Sequence, residues 1–194
     1  PAGPLLDIGC SVGYTLRAAR DLGLEPTGSD LSQYAIKTCR EQGFRAEVGE
    51  LSGLPFADGE FGLVTMKHVL EHTPVPRAAL REVRRVLRPG GGIFIAIPHA
   101  GYRKAVRAPQ SSRYYQPAAH GREHFVYYTP ATLSRLLADE GYRVVAVNPC
   151  LVHRTASFPR RLGEVLLAPL RWVAQGLADG LGLRKEFWLV AIRD

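Results

Sequence analysis

Short apolar runs and helix-like stretches alternate along the first hundred residues, and the first three strand-like runs stop at a glycine or an acid. Leu5-Leu6-Asp7-Ile8 halts at Gly9, and residues 13–22 then read as a helix that ends at Gly23. Pro26 to Asp30 is a second strand, and Ser32 caps a helix over 33–42 whose stop signal is Gly43. Arg45–Val48 and Phe61–Met66 are the third and fourth strands. Residues 77–88 place Leu80, Val83, Val86 and Leu87 on one helical face and six charged residues elsewhere. Pro89-Gly90-Gly91-Gly92 turns the chain into Ile93-Phe94-Ile95-Ala96-Ile97, an unbroken apolar run of the kind buried on both faces. Thr129-Pro130 opens a helix to about Glu140, followed by strands over 142–147 and 187–192. Seven strands alternating with helices predict an α/β sandwich of three layers, a parallel sheet with right-handed crossovers and helices on both faces.

A chain of 194 residues fits one domain, 1–194. Two stretches break the alternation, 98–128 and 151–183, and both are expected to shape a binding site. Charge divides unevenly: residues 1–97 hold 11 basic and 11 acidic residues, whereas 98–194 hold 14 and 7. The second half is therefore the part that faces any anionic partner. Three cysteines with no Cys-x-x-Cys pair argue against a disulfide framework or a Cys-rich zinc site, and predict a reducing, cytoplasmic setting. No run of 18 apolar residues is present, so no membrane-spanning helix is expected. Pro1-Ala2-Gly3-Pro4 lacks Met and runs straight into a strand, so an upstream segment is expected to precede it.

Ligands of open parallel sheets sit beyond the carboxyl ends of the strands, where strand order reverses. Asp7-Ile8-Gly9-Cys10-Ser11-Val12-Gly13 occupies that place after the first strand. It is not the Gly-x-Gly-x-x-Gly of dinucleotide sites, because position 11 is Ser and no third glycine follows. Asp30 ends the second strand, where a carboxylate can accept both hydroxyls of a ribose. Glu50 follows the third strand and could accept from an adenine amine, with Leu51 packing on the ring. A plain strand-to-helix turn is the bland alternative for the glycine loop alone.

These segments resemble the class I S-adenosylmethionine-dependent methyltransferases, in particular the type 11 and type 23 group that acts on small molecules. The resemblance is carried by Leu5 to Gly13, Gly28-Ser29-Asp30-Leu31-Ser32, Gly49-Glu50-Leu51, Leu54-Pro55-Phe56 and Phe61-Gly62-Leu63-Val64. Val69-Leu70-Glu71-His72, Leu87-Arg88-Pro89-Gly90-Gly91 and Tyr128-Thr129-Pro130 with Leu133 complete it. It implies a Rossmann-like, mostly parallel seven-stranded sheet with an antiparallel last strand. It implies S-adenosylmethionine as cofactor and S-adenosylhomocysteine as product. The cofactor residues it implies are the Gly9 to Gly13 loop, with Cys10 and Ser11, for the methionine part and Asp30 for the ribose, with Asp7 and Leu31 also among the cofactor residues. Glu50 and Leu51 are implied for the adenine, and Lys67 lies at the same rim. The chain departs from the family at Ser11, where Gly is usual, and at Gly62, where Asp usually follows the Phe. In the family the upstream segment supplies helices that cover the site.

Methyl transfer from a sulfonium is an in-line displacement with a good leaving group, so alignment and exclusion of water do most of the work. A base is needed only where the acceptor loses a proton, as a hydroxyl does. Candidates for that role are His68 and His72 after the fourth strand and His124 before Phe125; a structural role is the alternative for each. Glu71, His99, Tyr102, Tyr114 and His120 lie in the same regions. If 68–72 is helical, His68, Glu71 and His72 share one face, which raises a metal reading, although no metal is assigned from sequence. No Asn/Asp-Pro-Pro-aromatic signature follows the fourth strand, and Pro149-Cys150 is misplaced for a cytosine-methylating nucleophile, which disfavours nucleic acid. Arg103, Lys104, Arg107, Arg113 and Arg122 could hold an anionic small acceptor or form a solvated basic face. The apolar residues of 162–177 could pack on the domain, on a twin subunit in a homodimer, or on a membrane surface. The resulting expectation is O-methylation of a small molecule. A membrane-associated or metal-assisted enzyme for a lipid or quinone-like acceptor, and a cofactor-binding scaffold without activity, are the alternatives.

Overall fold

The computed structural model describes residues 3–100, 124–150 and 186–194. The elements run β1 (Leu5–Ile8), α1 (Tyr14–Asp21), β2 (Pro26–Asp30), α2 (Gln33–Glu41), β3 (Arg45–Val48) and β4 (Phe61–Lys67). After a short 3₁₀ turn at Leu70–His72 come α3 (Pro76–Val86), β5 (Leu87–Pro98), α4 (Pro130–Asp139), β6 (Tyr142–Cys150) and β7 (Glu186–Arg193). The seven strands form one sheet in the order β3-β2-β1-β4-β5-β7-β6. β7 runs antiparallel to both of its neighbours, and the β1, β2, β3, β4 and β5 pairings are parallel. The expected sandwich and its antiparallel last strand are therefore both present.

Order reverses between β1 and β4: one neighbour continues to β2, the other to β5. Right-handed crossovers running in opposite directions from that point put α1 and α2 on one face and α3 on the other. On the first face Leu16, Ile36, Cys39, Phe44 and Ala46 close a small core with Cys10. On the second, Leu80, Val83 and Val86 of α3 and Leu133 and Leu137 of α4 join the main core with Val64, Met66, Ile93 and Ile95. Burial of these side chains, at about 1.5–3 kcal/mol each, drives the packing.

The helix ends follow local chemistry. Ser32 Oγ accepts from the Ala35 N–H at 3.2 Å, and Thr129 and Thr132 cap reciprocally at the start of α4. Glu140, which ends α4 with a buried side chain, takes Arg77 at 2.7 Å and Arg81 at 2.7 Å, tying α4 to α3. Those guanidinium groups hold its carboxyl below the usual range. Several boundaries differ from the sequence reading, as at β6, expected over 142–147, which runs on to Cys150. Leu87 and Arg88, expected to end the helix, and Pro89–Gly92, expected to form a turn, all lie within β5, and the register shifts between Phe61 and Leu63 to absorb the extra residues. Of residues 68–72 only Leu70–His72 is helical, a single 3₁₀ turn, so the condition for His68, Glu71 and His72 to share one helical face is not met.

Candidate active site

The carboxyl ends of β1, β2, β3 and β4 meet where strand order reverses. Beyond β1, Gly9 has φ +74° and donates its N–H to Ser29 O at 2.7 Å, with Cys10 N–H on the same oxygen at 3.1 Å. A side chain at Gly9 would come within 2.5 Å of Val69 Cγ2. The glycine is thus required by the left-handed backbone and by packing against the segment after β4. Ser11 also adopts positive φ, at +48°, and its N–H donates to Asp30 Oδ2 at 2.9 Å. Asp30 Oδ1 accepts the Ser32 N–H at 2.9 Å. One carboxylate therefore joins the glycine loop to the start of α2, and an ionised carboxylate offers about four lone-pair sites, so acceptor capacity remains. Gly13, at φ +87°, caps α1 against Cys39 Sγ. Cys10 turns inward, its Sγ 4.0 Å from Cys39 Sγ, so only its backbone faces the loop's outer side. Burial pushes both thiols up.

Asp7 pairs in register with Thr65 of β4, whose hydroxyl donates to Asp7 Oδ1 at 2.5 Å. Burial raises the Asp7 carboxyl above the usual range, against the lowering pull of Thr65, Thr15 and the Lys67 charge. Lys67 is exposed at the end of β4. Beyond β3, Glu50 is exposed and bridges to Gly53, while Leu51 packs against the main core. Leu31 is 70% exposed at the same rim.

A second group gathers after β4. His68 adopts φ +54° and donates its N–H to Ala96 O at 2.9 Å. Its Nδ1 lies 3.4 Å from Glu71 Oε1 and its Nε2 3.0 Å from Glu186 Oε2. The Glu71 carboxylate, with help from Glu186, raises His68 above the ordinary imidazole range although burial and Lys67 oppose it. Glu71 has 1% of its side chain exposed, and His72 Nε2 is 4.0 Å from its Oε1. The His72 and His124 rings stack edge-on with centroids 4.6 Å apart. Tyr128 sits buried nearby; burial first, then the Glu71 charge, pushes its phenol up to about 12.

The site residues expected from sequence fall into two groups. Asp7, Gly9, Ser11, Gly13, Asp30, Leu31, Glu50, Leu51 and Lys67 lie along the strand ends, and His68, His72 and His124 gather around Glu71. Tyr102, Arg103, Lys104, Arg107, Arg113, Tyr114, His120, Arg122 and the 162–177 surface lie outside the described residues. Sequence reasoning missed Thr65 and Glu186, whose roles come from strand register that a linear pattern does not encode. Two surface hollows lie elsewhere. One, among Arg81, Arg84, Glu140 and Arg193, sits at the opposite end of the sheet; the other lies over α2 beside Val48.

A family model described as a methyltransferase domain matches residues 6–95. An uncharacterized protein of Mycobacterium tuberculosis is 34% identical over 162 residues, covering 82% of this chain and 53% of that protein. A ubiquinone biosynthesis O-methyltransferase of Methylococcus capsulatus is 30% identical over 145 residues, covering 70% of this chain and 61% of that enzyme. The chain spans about half to three-fifths of the length of these curated relatives. In fold, it is similar to an S-adenosylmethionine-dependent methyltransferase of Mesorhizobium loti at a TM-score of 0.68 and 21% identity, covering 99% of this chain and 92% of that one. The chain is thus similar to methyltransferase domains over residues 6–95, and to S-adenosylmethionine-dependent methyltransferases in fold over nearly its whole length.

Proposed function

We propose that this chain carries an S-adenosylmethionine-dependent O-methyltransferase acting on a small-molecule acceptor. The observation that carries the reading is the pairing of two groups at one end of the sheet. Carboxylates project from β1, β2 and the segment after β3, and proton-accepting side chains cluster after β4. The donor set fits the cofactor: Asp30 retains acceptor capacity for ribose hydroxyls and exposed Glu50 for an amine, while Leu51 offers an apolar edge. Once bound, the sulfonium supplies an electrophilic methyl carbon and a neutral thioether leaving group. The chain's own residues hold the nucleoside, keep water from the reacting centre and take the acceptor's proton. The His68, Glu71, His72 and His124 group offers imidazole and carboxylate bases for that last task.

Ubiquinone biosynthesis O-methyltransferases among the relatives support oxygen over nitrogen and a hydroxylated, quinone-precursor-like acceptor. A cytoplasmic setting is the reading that cysteine usage supports, and no described helix is long and apolar enough to cross a membrane. The test is an acceptor screen with radiolabelled methyl donor, comparing phenols and catechols with amines of similar size. Label transferred to hydroxylated acceptors is expected. Label only on amines would overturn the oxygen assignment, and binding without transfer to any acceptor would make the chain a scaffold.

A further inference from the structure

We propose that the hollow between the last turns of α3 and α4, at the end of the sheet opposite the glycine loop, is a binding site for a phosphate-type oxyanion. It has a volume of about 540 Å³, and its charged lining is Arg81, Arg84, Arg85, Arg193, Asp139 and Glu140. The first observation is how those charges are matched. Arg81 takes Glu140 at 2.7 Å, and Arg77, just outside the hollow, takes Glu140 and Asp139 at 2.7 and 2.8 Å. Arg85 takes Glu82 and Asp58, both at 2.7 Å. Both carboxylates of the lining are therefore already held by guanidinium groups. Arg84 and Arg193 are left over, and among the described residues their partners are backbone carbonyls. Arg84 Nη2 donates to Asp194 O at 3.0 Å, and Arg193 Nη1 donates to Arg84 O at 2.6 Å and to Leu87 O.

The second observation is that neither of these cations is satisfied by the protein. The Nε–H of each is buried without an acceptor among the described residues. A guanidinium has five N–H donors, and a charge drawn out of water without a counter-charge is costly. Both residues are half-buried and line the hollow, so their outer nitrogens are open to an ion there. Capping accounts for Arg193 Nη1, because a cation at the end of α3 offsets the partial negative charge of the helix terminus. It does not account for Arg84, whose guanidinium lies over Gly141. A Cβ at Gly141, where φ is +80°, would come within 3.0 Å of Arg84 Nε and 3.3 Å of its Cζ. The glycine thus leaves the room in which a second cation sits beside the first.

Planar guanidinium groups suit oxyanions that accept two parallel hydrogen bonds, phosphate and carboxylate above all. Two unmatched positive charges favour a dianion, which selects phosphate over a monocarboxylate. Inorganic phosphate and the phosphoryl end of a larger molecule share this chemistry. The site lies away from the strand ends where methyl transfer is proposed and does not rest on that reading.

The full chain in phosphate-free buffer should be titrated by calorimetry with inorganic phosphate, methyl phosphate and acetate at fixed ionic strength. One phosphate per chain is expected, with acetate about tenfold weaker or more. Methyl phosphate binding as well as phosphate would assign the site to phosphoryl groups of larger molecules; its exclusion would assign the site to the free ion. Arg84→Gln and Arg193→Gln should each weaken phosphate binding by about tenfold or more. Lys37→Gln, which removes one exposed charge from α2, should leave it unchanged. Arg84→Gln leaves the Arg193 cap in place, so it keeps the test decisive should Arg193→Gln fail to fold, which circular dichroism reports. Four results would each overturn the site: no one-to-one uptake, equal affinity for acetate, uptake unchanged in Arg84→Gln, or equal weakening by Lys37→Gln.

Discussion

Asp7 shows how one side chain can couple stability to the site. It is buried at the end of β1, and desolvation raises its carboxyl above the ordinary range while Thr65 and Lys67 pull it down. A group whose folded pKa is raised stabilises the fold when protonated and loses that contribution as pH rises through the folded value. Asp7→Asn keeps the oxygen that accepts from Thr65 and cannot ionise. The variant should therefore gain melting temperature relative to the native protein as pH climbs from below 4 towards neutrality, then hold a constant difference. About 1 kcal/mol corresponds to roughly 2–4 °C in a chain this size, so thermal melts across that range resolve it. A difference that does not change with pH would contradict the account of Asp7.

At the scale of elements, the loop after β1 depends on the turn after β4. Gly9 combines φ +74° with a Cβ position 2.5 Å from Val69 Cγ2. Gly9→Ala should cost about 1–2 kcal/mol from the left-handed backbone alone, with the clash added to it. Val69→Ala introduced into that background should recover the clash but not the backbone cost, so a double-mutant cycle by denaturant unfolding should show coupling above about 0.5 kcal/mol. Strict additivity would mean that the two do not touch. Such contacts mark the limit of what the linear sequence discloses. The strands and helices were legible because apolar periodicity and caps such as Ser32 and Thr129 are local properties. The glycine loop and Asp30 stood out as candidates because strand ends carry ligands in this architecture. The Val69 contact, the Thr65 bond to Asp7 and the meeting of His124 with Glu71 depend on register and chain return. The shared face of His68, Glu71 and His72 stayed conditional in the sequence because i, i+3, i+4 spacing implies a helical face only if the helix forms, and there the chain makes one 3₁₀ turn.

Across the whole molecule, the sheet gathers at one end what the sequence scatters over residues 7 to 186. The reversal between β1 and β4 sends one set of crossovers over each face and leaves the strand ends uncovered by them. Asp30 stands at the centre of that arrangement, accepting from the loop at Ser11 and from α2 at Ser32. The opposite end of the sheet is occupied by ion pairs that join α3 to α4, so the proposed cofactor-binding end and this cohesive end are spatially divided. The most direct test of this arrangement is calorimetric titration of the chain and its Asp30→Ala variant with S-adenosylhomocysteine. One site per chain is predicted, with affinity reduced about tenfold to a hundredfold in the variant by loss of charge-assisted hydrogen bonds. No binding to the native chain, or equal affinity in the two proteins, would contradict it.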